Sequence, residues 1–331
     1  VARFIGCDDP NCIIFTRGCT ESLNMVAKSG LLKSGDHVLT TDMEHNSNHV
    51  PWVQVAKHQD IRHRIVRTPP SGIFDMDQFR DALDDVALVS MVHTNNVTGT
   101  AIPAEEIVKE AHDRGALVCL DGAQSTPHRK IDVKEMDVDM FAFSSHKMLG
   151  PSGMGVLYAK MDVLKRMEPL IGGGGGVGLT TYEEVEFLPP PEKFESGLMN
   201  YSGVIGTGAA VDYLSTIGMD DIQEHERLLN GIVTRGLKDL PGISILPPAD
   251  PSLRSGIFSF NLQGMSSHDI AMIIDEMAKV LIRSGMHCVH PYFVSRGIDG
   301  CARASFYLYN TEEEARRLVE AVTELSSVFS S

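Results

Sequence analysis

Two apolar strands that each lead to one ionisable side chain constrain this chain's fold most strongly. The first, residues 118–121, is apolar until it ends at Asp121. The second, residues 139–143, turns apolar and runs into a polar stretch that closes on Lys147. Such segments are typical of strands buried inside a sheet. A lysine at the end of a buried strand is out of place in a core, so it indicates a chemical role.

A lysine and a carboxylate on two strand ends are the pair that pyridoxal 5'-phosphate (PLP) requires. A desolvated lysine condenses with the aldehyde of the cofactor, and an acid keeps the pyridine nitrogen protonated. Taken singly, Lys147 is better explained as a surface lysine and Asp121 as a helix cap. The two together at strand ends favour a PLP site.

The surrounding sequence alternates between predicted strands and predicted helices. Further strands are predicted at residues 12–16, 36–43, 61–66, 86–92 and 155–159, and polar residues follow most of them. This is the pattern of a doubly wound α/β fold, whose ligands bind beyond the carboxyl ends of the strands.

Two residues near such strand ends are further candidates. Thr20 follows a short strand and a glycine at the start of a helix, where free N–H groups and a hydroxyl can hold a phosphate. His45 lies in a polar loop that opens the next helix and can stack on an aromatic ring. Alone, Thr20 is better explained as a helix N-cap and His45 as a solvated loop residue.

We predict two domains, since 331 residues suffice for two cores. Helices are predicted at residues 201–217 and 220–240, and a boundary at Ile217 gives a large domain, 1–217, and a small domain, 218–331. The small domain is predicted to be α+β, with strands at residues 256–262, 280–283 and 302–308 and a closing helix at 312–325.

A loop of the predicted small domain carries Cys288 between His287 and His290. The thiolate is the nucleophilic form of cysteine, and cationic or histidine-rich surroundings favour it. The alternative, an inert core cysteine, fits this polar loop poorly.

Composition excludes several classes of protein. The chain has 29 Lys and Arg against 44 Asp and Glu, a net charge of −15 that argues against nucleic-acid binding. No apolar run reaches the roughly 18–20 residues that a membrane span needs. Six cysteines fit a reducing cytosol, and those at positions 7, 12 and 19 lack zinc-ligand spacing, so we predict a cytoplasmic protein without a metal.

Several motifs resemble the class V aminotransferase group of PLP-dependent transferases (fold type I), and most closely its SufS-like (group II) cysteine desulfurases. They occur in family order at residues 16–21, 43–45, 121–124, 144–147, 283–288 and 301–311. The lysine motif marks the superfamily, and the cysteine loop marks the desulfurases. The resemblance implies an α/β fold with a mostly parallel seven-stranded sheet in the large domain, and a homodimer.

The resemblance also implies roles around the cofactor. Lys147 would form the Schiff base, Asp121 would pair with the pyridine nitrogen, Gln124 with the phenolic oxygen, and His45 would stack on the ring. The phosphate would be held by Thr20, Ser144 and His146.

For the substrate, the resemblance implies a second set of residues. Asn96 and Arg303 would bind the carboxylate of L-cysteine, Arg283 would position the cysteine loop, and Cys288 would take the sulfur as a persulfide while alanine leaves. A sulfur-acceptor protein or scaffold of iron–sulfur cluster assembly would then receive this sulfur. The alternatives are a selenocysteine lyase, another class V lyase or epimerase, and a non-catalytic scaffold paralogue.

The sequence departs from the family at several points. Leu198 stands where a threonine usually reaches the partner subunit's cofactor phosphate, so we expect that cross-dimer contact to be lost. Ser145 replaces a glycine and Met286 a histidine, both mild changes. Relatives carry several tens of residues before the position of Val1, and we expect cofactor binding to survive without them because the large-domain strands are present.

Overall fold

A seven-stranded sheet forms the centre of the computed structural model, which describes residues 1–329. Its spatial order is β1-β7-β6-β5-β4-β2-β3, and only β7 runs antiparallel to its neighbours. The predicted mostly parallel α/β sheet is therefore confirmed. Its strands are β1 Ile13–Thr16, β2 His37–Thr41, β3 Arg62–Val66, β4 Val86–Val92, β5 Leu117–Asp121, β6 Met140–Ser144 and β7 Gly155–Ala159.

Helices cover both faces of this sheet, which explains why its central strands are largely apolar, whereas the edge strand β3 carries Arg62, His63 and Arg64. In β6, Phe141 and Phe143 enter the core cluster on one face, whereas Met140 and Ala142 enter the cluster on the other. All four side chains are fully buried. The helices are α1 Cys19–Ala27, α2 Asn46–His58, α3 Met76–Ala82, α4 Ala104–His112, α5 Met161–Arg166 and α6 Tyr201–Ile217.

A four-stranded antiparallel sheet follows, in the spatial order β10-β11-β13-β12. It packs with helices on a third core cluster that includes Phe258, Phe260 and Leu318. A hairpin, β8 Val177–Thr180 with β9 Val185–Phe187, precedes it. The remaining elements are α7 Met219–Leu237, β10 Ile243–Ile245, β11 Ile257–Leu262, α8 Ser267–Ala278, β12 Arg283–Gly285, α9 His290–Ser295, β13 Cys301–Ser305 and α10 Glu312–Phe329.

The strand predicted at residues 280–283 is wrong in position. Helix α8 ends at Ala278, its C-cap Lys279 has a φ of 55°, and of residues 280–285 only Arg283–Gly285 pairs with β13. Val280 and Ile282 pack against the third core cluster from irregular backbone, so their apolar character reflects packing without strand pairing.

Helix α6 begins and ends where predicted, but it is not tightly packed along its whole length. Tyr201 is 63% exposed and Ile205 is 73% exposed, whereas Ala210 and Leu214 are buried. The helix therefore leaves an apolar face uncovered. Within residues 1–329, no helix is both long and apolar enough to cross a membrane.

Candidate active site

A cavity of about 180 Å³ lies where β4, β5 and β6 end. Eight of the predicted site residues line it: Thr20, His45, Asn96, Asp121, Gln124, Ser144, His146 and Lys147. Residues from distant parts of the chain meet here because the carboxyl ends of parallel strands lie along one edge of the sheet. The other three predicted residues, Arg283, Cys288 and Arg303, lie outside the lining of the cavity.

Asp121 provides a buried carboxylate at the base of the cavity. It ends β5 and is only 2% exposed. Its Oδ1 accepts a hydrogen bond from the Ala123 N–H at 2.9 Å and one from the Cys19 thiol at 3.3 Å. Within residues 1–329 it forms no ion pair with a lysine or arginine. A buried carboxylate without a cationic partner is suited to forming an ion pair with a protonated ring nitrogen.

His45 is fixed by the start of α2. It is the N-cap of that helix, and its Nδ1 accepts the Ser47 N–H at 3.1 Å. Burial lowers the pKa of His45, Lys147 and Arg303 add to this, and Asp121 opposes them. The imidazole is therefore neutral with its proton on Nε2, the form suited to lying against a ring.

The N-terminus of α1 closes the opposite wall. Gly18 is the N-cap, so the expectation that Thr20 caps this helix is wrong. The Cys19 N–H donates to Ser144 Oγ at 2.9 Å, and the hydroxyls of Thr20 and Ser47 are 2.7 Å apart. Hydroxyls beside a helix N-terminus form a site for an anion. A Cβ on Gly155 would lie 2.4 Å from the Gly18 backbone, so glycine is required for this close approach.

The cysteine loop is tied to the strand ends that form the cavity. The Asn46 N–H donates to the Cys288 carbonyl at 2.7 Å, and the Asn96 amide donates to the His287 carbonyl at 2.9 Å. The Asn46 amide also contacts His290 Nδ1 at 2.8 Å. The loop is thus bonded to residue 46, next to His45, and to Asn96, which lines the cavity.

Cys288 is exposed, whereas the other five cysteines are buried. His287 and Cys288 have φ values of 48° and 60°, a left-handed conformation that costs a residue with a side chain about 1–2 kcal/mol. The His287 Nε2–H donates to the Cys301 carbonyl at 3.0 Å, and Val289 is fully buried. The loop is thus anchored on both sides of its exposed thiol.

Arg303 connects the cysteine loop to the cavity. Its Nη1 donates to the Asn96 carbonyl at 2.8 Å, while its Nε is buried without a partner among the described residues. Burial lowers the pKa of Arg303, Arg283 adds to this, and the nearby Cys301 and Cys288 oppose it. Arg283 lies opposite Arg303 in the pairing of β12 with β13 and is exposed.

A family model described as "Aminotransferase class-V" matches residues 1–318. This chain belongs to the class V aminotransferase family. A curated relative from Haloferax volcanii, named cysteine desulfurase, is 41% identical over 99% of this chain and 78% of its own length. One from Cronobacter sakazakii, with the same name, is 36% identical over 98% of this chain and 80% of its length.

Solved structures of class V proteins agree with the fold. An apo cysteine desulfurase from Thermococcus onnurineus superposes with a TM-score of 0.94 at 34% identity, over 98% of this chain and 82% of that one. The Escherichia coli cysteine desulfurase CsdA also gives 0.94, at 31% identity over 99% of this chain and 82% of its own.

The residues of the cavity fit PLP, the cofactor of this class V enzyme. Asp121 offers an unpaired buried carboxylate, Lys147 an amine, and the start of α1 an anion site beside Thr20 and Ser144. These are the three features that a pyridine nitrogen, an aldehyde and a phosphate require. Within residues 1–329 no group of three or more His, Cys, Asp or Glu side chains is arranged to hold a metal ion.

Three residues of the site were missed from the sequence. Cys19 and Ser47 line the cavity, and Asn46 holds the cysteine loop. Cys19 directly precedes Thr20, and Asn46 and Ser47 directly follow His45. Their proximity to predicted residues is the one signal that the sequence carries, since their contacts depend on local backbone geometry.

Proposed function

We propose that this chain is a PLP-dependent cysteine desulfurase, which converts L-cysteine to L-alanine and keeps the sulfur as a persulfide on Cys288. The observation that carries the proposal is the exposed thiol on a loop hydrogen-bonded to Asn96, a residue of the cavity that holds Lys147 and Asp121. The name shared by relatives at 36–41% identity supports it.

The lining residues give the cofactor a defined setting. PLP, when bound, supplies an electron sink for the electron pair released at the substrate carbons. We assign Lys147 to its aldehyde, Asp121 to its ring nitrogen and Gln124 to its phenolic oxygen. His45 would lie against the ring, and the phosphate would be held by Thr20, Ser144 and His146.

The chain's own residues then handle the substrate. Arg303 and Asn96 would bind the carboxylate, the arginine with its forked donors, and Lys147 would take the proton from Cα. Arg283, paired across from Arg303, would orient the cysteine loop.

Sulfur transfer completes the proposed reaction. The Cys288 thiolate attacks the substrate sulfur, so that a new S–S bond forms while the Cβ–S bond breaks. The bonding electron pair stays on Cβ, which gains a proton and becomes the methyl group of alanine. The sulfur remains on Cys288 until an acceptor thiol or a reductant removes it.

The decisive experiment measures the persulfide on the holoenzyme. After exposure to L-cysteine, intact mass spectrometry should show one added sulfur on the parent protein and on Cys7→Ser, the control for a buried thiol. Cys288→Ala should show none, and its sulfide release should fall at least a hundredfold. Sulfide release from Cys288→Ala at the parent rate contradicts the persulfide mechanism. L-selenocysteine in parallel assays tests the lyase alternative.

We also propose a homodimer. Leu198 is 91% exposed, and it lies near the uncovered face of α6 that Tyr201 and Ile205 present. A monomer gains nothing from exposing a group of large apolar side chains, whereas a subunit interface buries it. Leucine in place of the family's threonine fits an apolar contact there.

The remaining expectations are proposals of the same kind. Cys288 is exposed, so a thiol of an acceptor protein can reach its persulfide, and the acceptor we propose serves iron–sulfur cluster assembly in the cytoplasm. We also propose the division into a large domain, 1–217, and a small domain, 218–331. The Cys288 loop and Arg303 would then belong to the small domain.

A further inference from the structure

A second cavity, of about 230 Å³, is lined by the segments that follow β4 and β5, by α7 and by the segment before β11, and it shares no lining residue with the cofactor cavity. Three arginines, Arg129, Arg227 and Arg254, line it, and we call it the arginine cavity. The other lining residues are Thr94, Gly99, Ala101, His128, Gln223, Ser252, Leu253 and Ser255, so no carboxylate is among them.

Arg254 is a buried cation whose hydrogen-bonding capacity is mostly unused. It is 2% exposed, and Nη2 donates to Thr234 Oγ1 at 2.5 Å. Its Nε and Nη1 have no partner among the described residues. Burial lowers its pKa to about 10, with Asp250 opposing the shift. A buried guanidinium with two free donors is costly unless an anion meets it.

The other two arginines converge on one neutral group. With its amide oxygen turned towards them, Gln223 accepts from Arg129 Nη2 and from Arg227 Nη2, each at 3.2 Å. Burial lowers the pKa of Arg129, and the positive charge of Arg227 adds to this. Within residues 1–329 none of the three arginines forms a salt bridge. Two cations sharing one amide oxygen leave their charge uncompensated.

Two acids near the arginine cavity have hydrogen-bond partners of their own, and one is Asp250, whose Oδ1 accepts the Ser252 N–H at 2.9 Å. Glu226 is fully buried, where it binds His128 Nδ1 at 2.6 Å and the Gly256 N–H at 3.1 Å. Other acids line an adjoining groove of about 490 Å³, which shares Arg129 and Gln223 with the cavity: Glu105, Glu106, Asp132 and Glu135.

Two hydroxyls complete the cavity. The side-chain oxygens of Thr94 and Ser255 are buried and have no hydrogen-bond partner among residues 1–329. Both are near the segment where the Ser255 N–H donates to the Gly99 carbonyl at 2.9 Å. Guanidinium groups with hydroxyls are the donors that tetrahedral oxyanions and carboxylates prefer.

We propose that the arginine cavity binds a small, multiply charged oxyanion of the phosphate or dicarboxylate class. The ligand would sit between Arg254 and the Arg129–Arg227 pair, with Thr94 and Ser255 as further donors. This site is separate from the cofactor phosphate site and does not depend on the proposed desulfurase reaction.

Calorimetric titration of the holoenzyme with inorganic phosphate, and separately with malonate, tests the proposal. The cofactor fills its own phosphate site, and sodium chloride keeps the ionic strength constant. Arg303 and Asn96 offer malonate a second carboxylate site, so the binding assigned to the arginine cavity is the part that remains in Arg303→Lys. We expect saturable binding of at least one anion, at least tenfold weaker in Arg254→Met and weaker in Arg227→Gln. Arg235→Gln, an exposed arginine on the same helix α7, should match the parent.

A fourth variant keeps the proposal testable if Arg254→Met does not fold. Gln223→Glu places a carboxylate within reach of both Arg129 and Arg227, so it should abolish anion binding and raise the Tm by about 2 °C. The proposal is overturned if neither anion binds saturably to the parent. It is also overturned if Arg227→Gln and Gln223→Glu bind as the parent does.

Discussion

At the scale of single residues, neighbouring groups set the chemical state of the site. Cys19 lies 3.3 Å from Asp121, and burial together with that carboxylate raises the pKa of the thiol. Cys19 therefore stays protonated and donates to Asp121. His45 stays neutral because burial lowers its pKa. Cys288 has different surroundings, since it is exposed on a loop close to Arg303. The proposed nucleophile and the hydrogen-bond donor to Asp121 are thus cysteines in opposite settings.

Arg303→Lys should raise the KM for L-cysteine about tenfold, or about 1.4 kcal/mol of binding, with kcat changed less. Lysine keeps the charge but loses the forked geometry and the contact with the Asn96 carbonyl. Arg235→Lys is the control, since this arginine of α7 is exposed and has no proposed role in the site. Steady-state kinetics of alanine formation measure both. Equal effects in the two variants would contradict the assignment of the carboxylate to Arg303.

At the scale of elements, the cysteine loop and α9 are clamped to the edge of the large sheet. Arg296, just after α9, pairs with Asp42 at 2.8 Å and donates to the Thr68 carbonyl at 2.7 Å. Its guanidinium also lies 4.0 Å from the ring centre of Tyr292. Since Asp42 directly follows β2 and Thr68 lies just after β3, this clamp fixes α9 relative to the strands that end near His45.

Arg296→Gln should loosen this clamp and slow persulfide formation three- to tenfold, with little change in overall fold. Cys288 lies only two residues before α9, so a shift of α9 also displaces the loop that carries Cys288. Hydrogen exchange of residues 288–296 should speed up in the same variant. Arg316→Gln, which breaks the exposed helical pair with Glu312, should leave both quantities unchanged. Unchanged exchange in Arg296→Gln would mean that other contacts hold the loop.

The elements that the sequence could predict are those whose pattern is set by burial alone. Strand β6 was found because both of its faces are covered, which leaves an unbroken apolar run. Strand β12 was misplaced because Val280 and Ile282 pack into a core without pairing. Asp121 and Lys147 were found from their places at strand ends. Their proposed roles stay predictions, and backbone contacts such as the one from Asn46 leave no sequence pattern.

At the scale of the whole molecule, the proposed site spans the junction of the two sheets. The seven-stranded sheet supplies Asp121 and Lys147, and the four-stranded sheet supplies Arg303 and the loop of Cys288. An apolar cluster with members from both parts of the chain joins the two sheets. Its members are Met43, Val97, Leu246, Val289, Tyr292, Phe293 and Cys301. The Ser259 hydroxyl also donates a hydrogen bond to the Val97 carbonyl at 2.5 Å. Stability of the junction and integrity of the site are therefore linked.

Partly buried histidines that are neutral in the fold make this molecule sensitive to acid. Burial lowers the pKa of His63 and of His287 to about 4. The unfolded chain takes up these protons near pH 6.5, so the free energy of unfolding should fall as the pH drops from about 6.5 to about 4. Glu44 opposes this, because burial raises its pKa to about 7 and the folded state binds that proton first.

His63→Gln should reduce this loss of stability in acid. His63 is on β3, where its Nε2 is joined to Thr40 Oγ1 at 2.8 Å, and a glutamine amide can keep that bond without titrating. A pKa of about 4 in the fold against 6.5 in the unfolded chain corresponds to an upper limit of about 3.4 kcal/mol on the stability lost through His63. Urea unfolding at several pH values between 4 and 7 should show a shallower slope in His63→Gln than in the parent or in His58→Gln, a surface control on α2. A slope equal to that of the parent would mean that other groups carry the acid sensitivity of the fold.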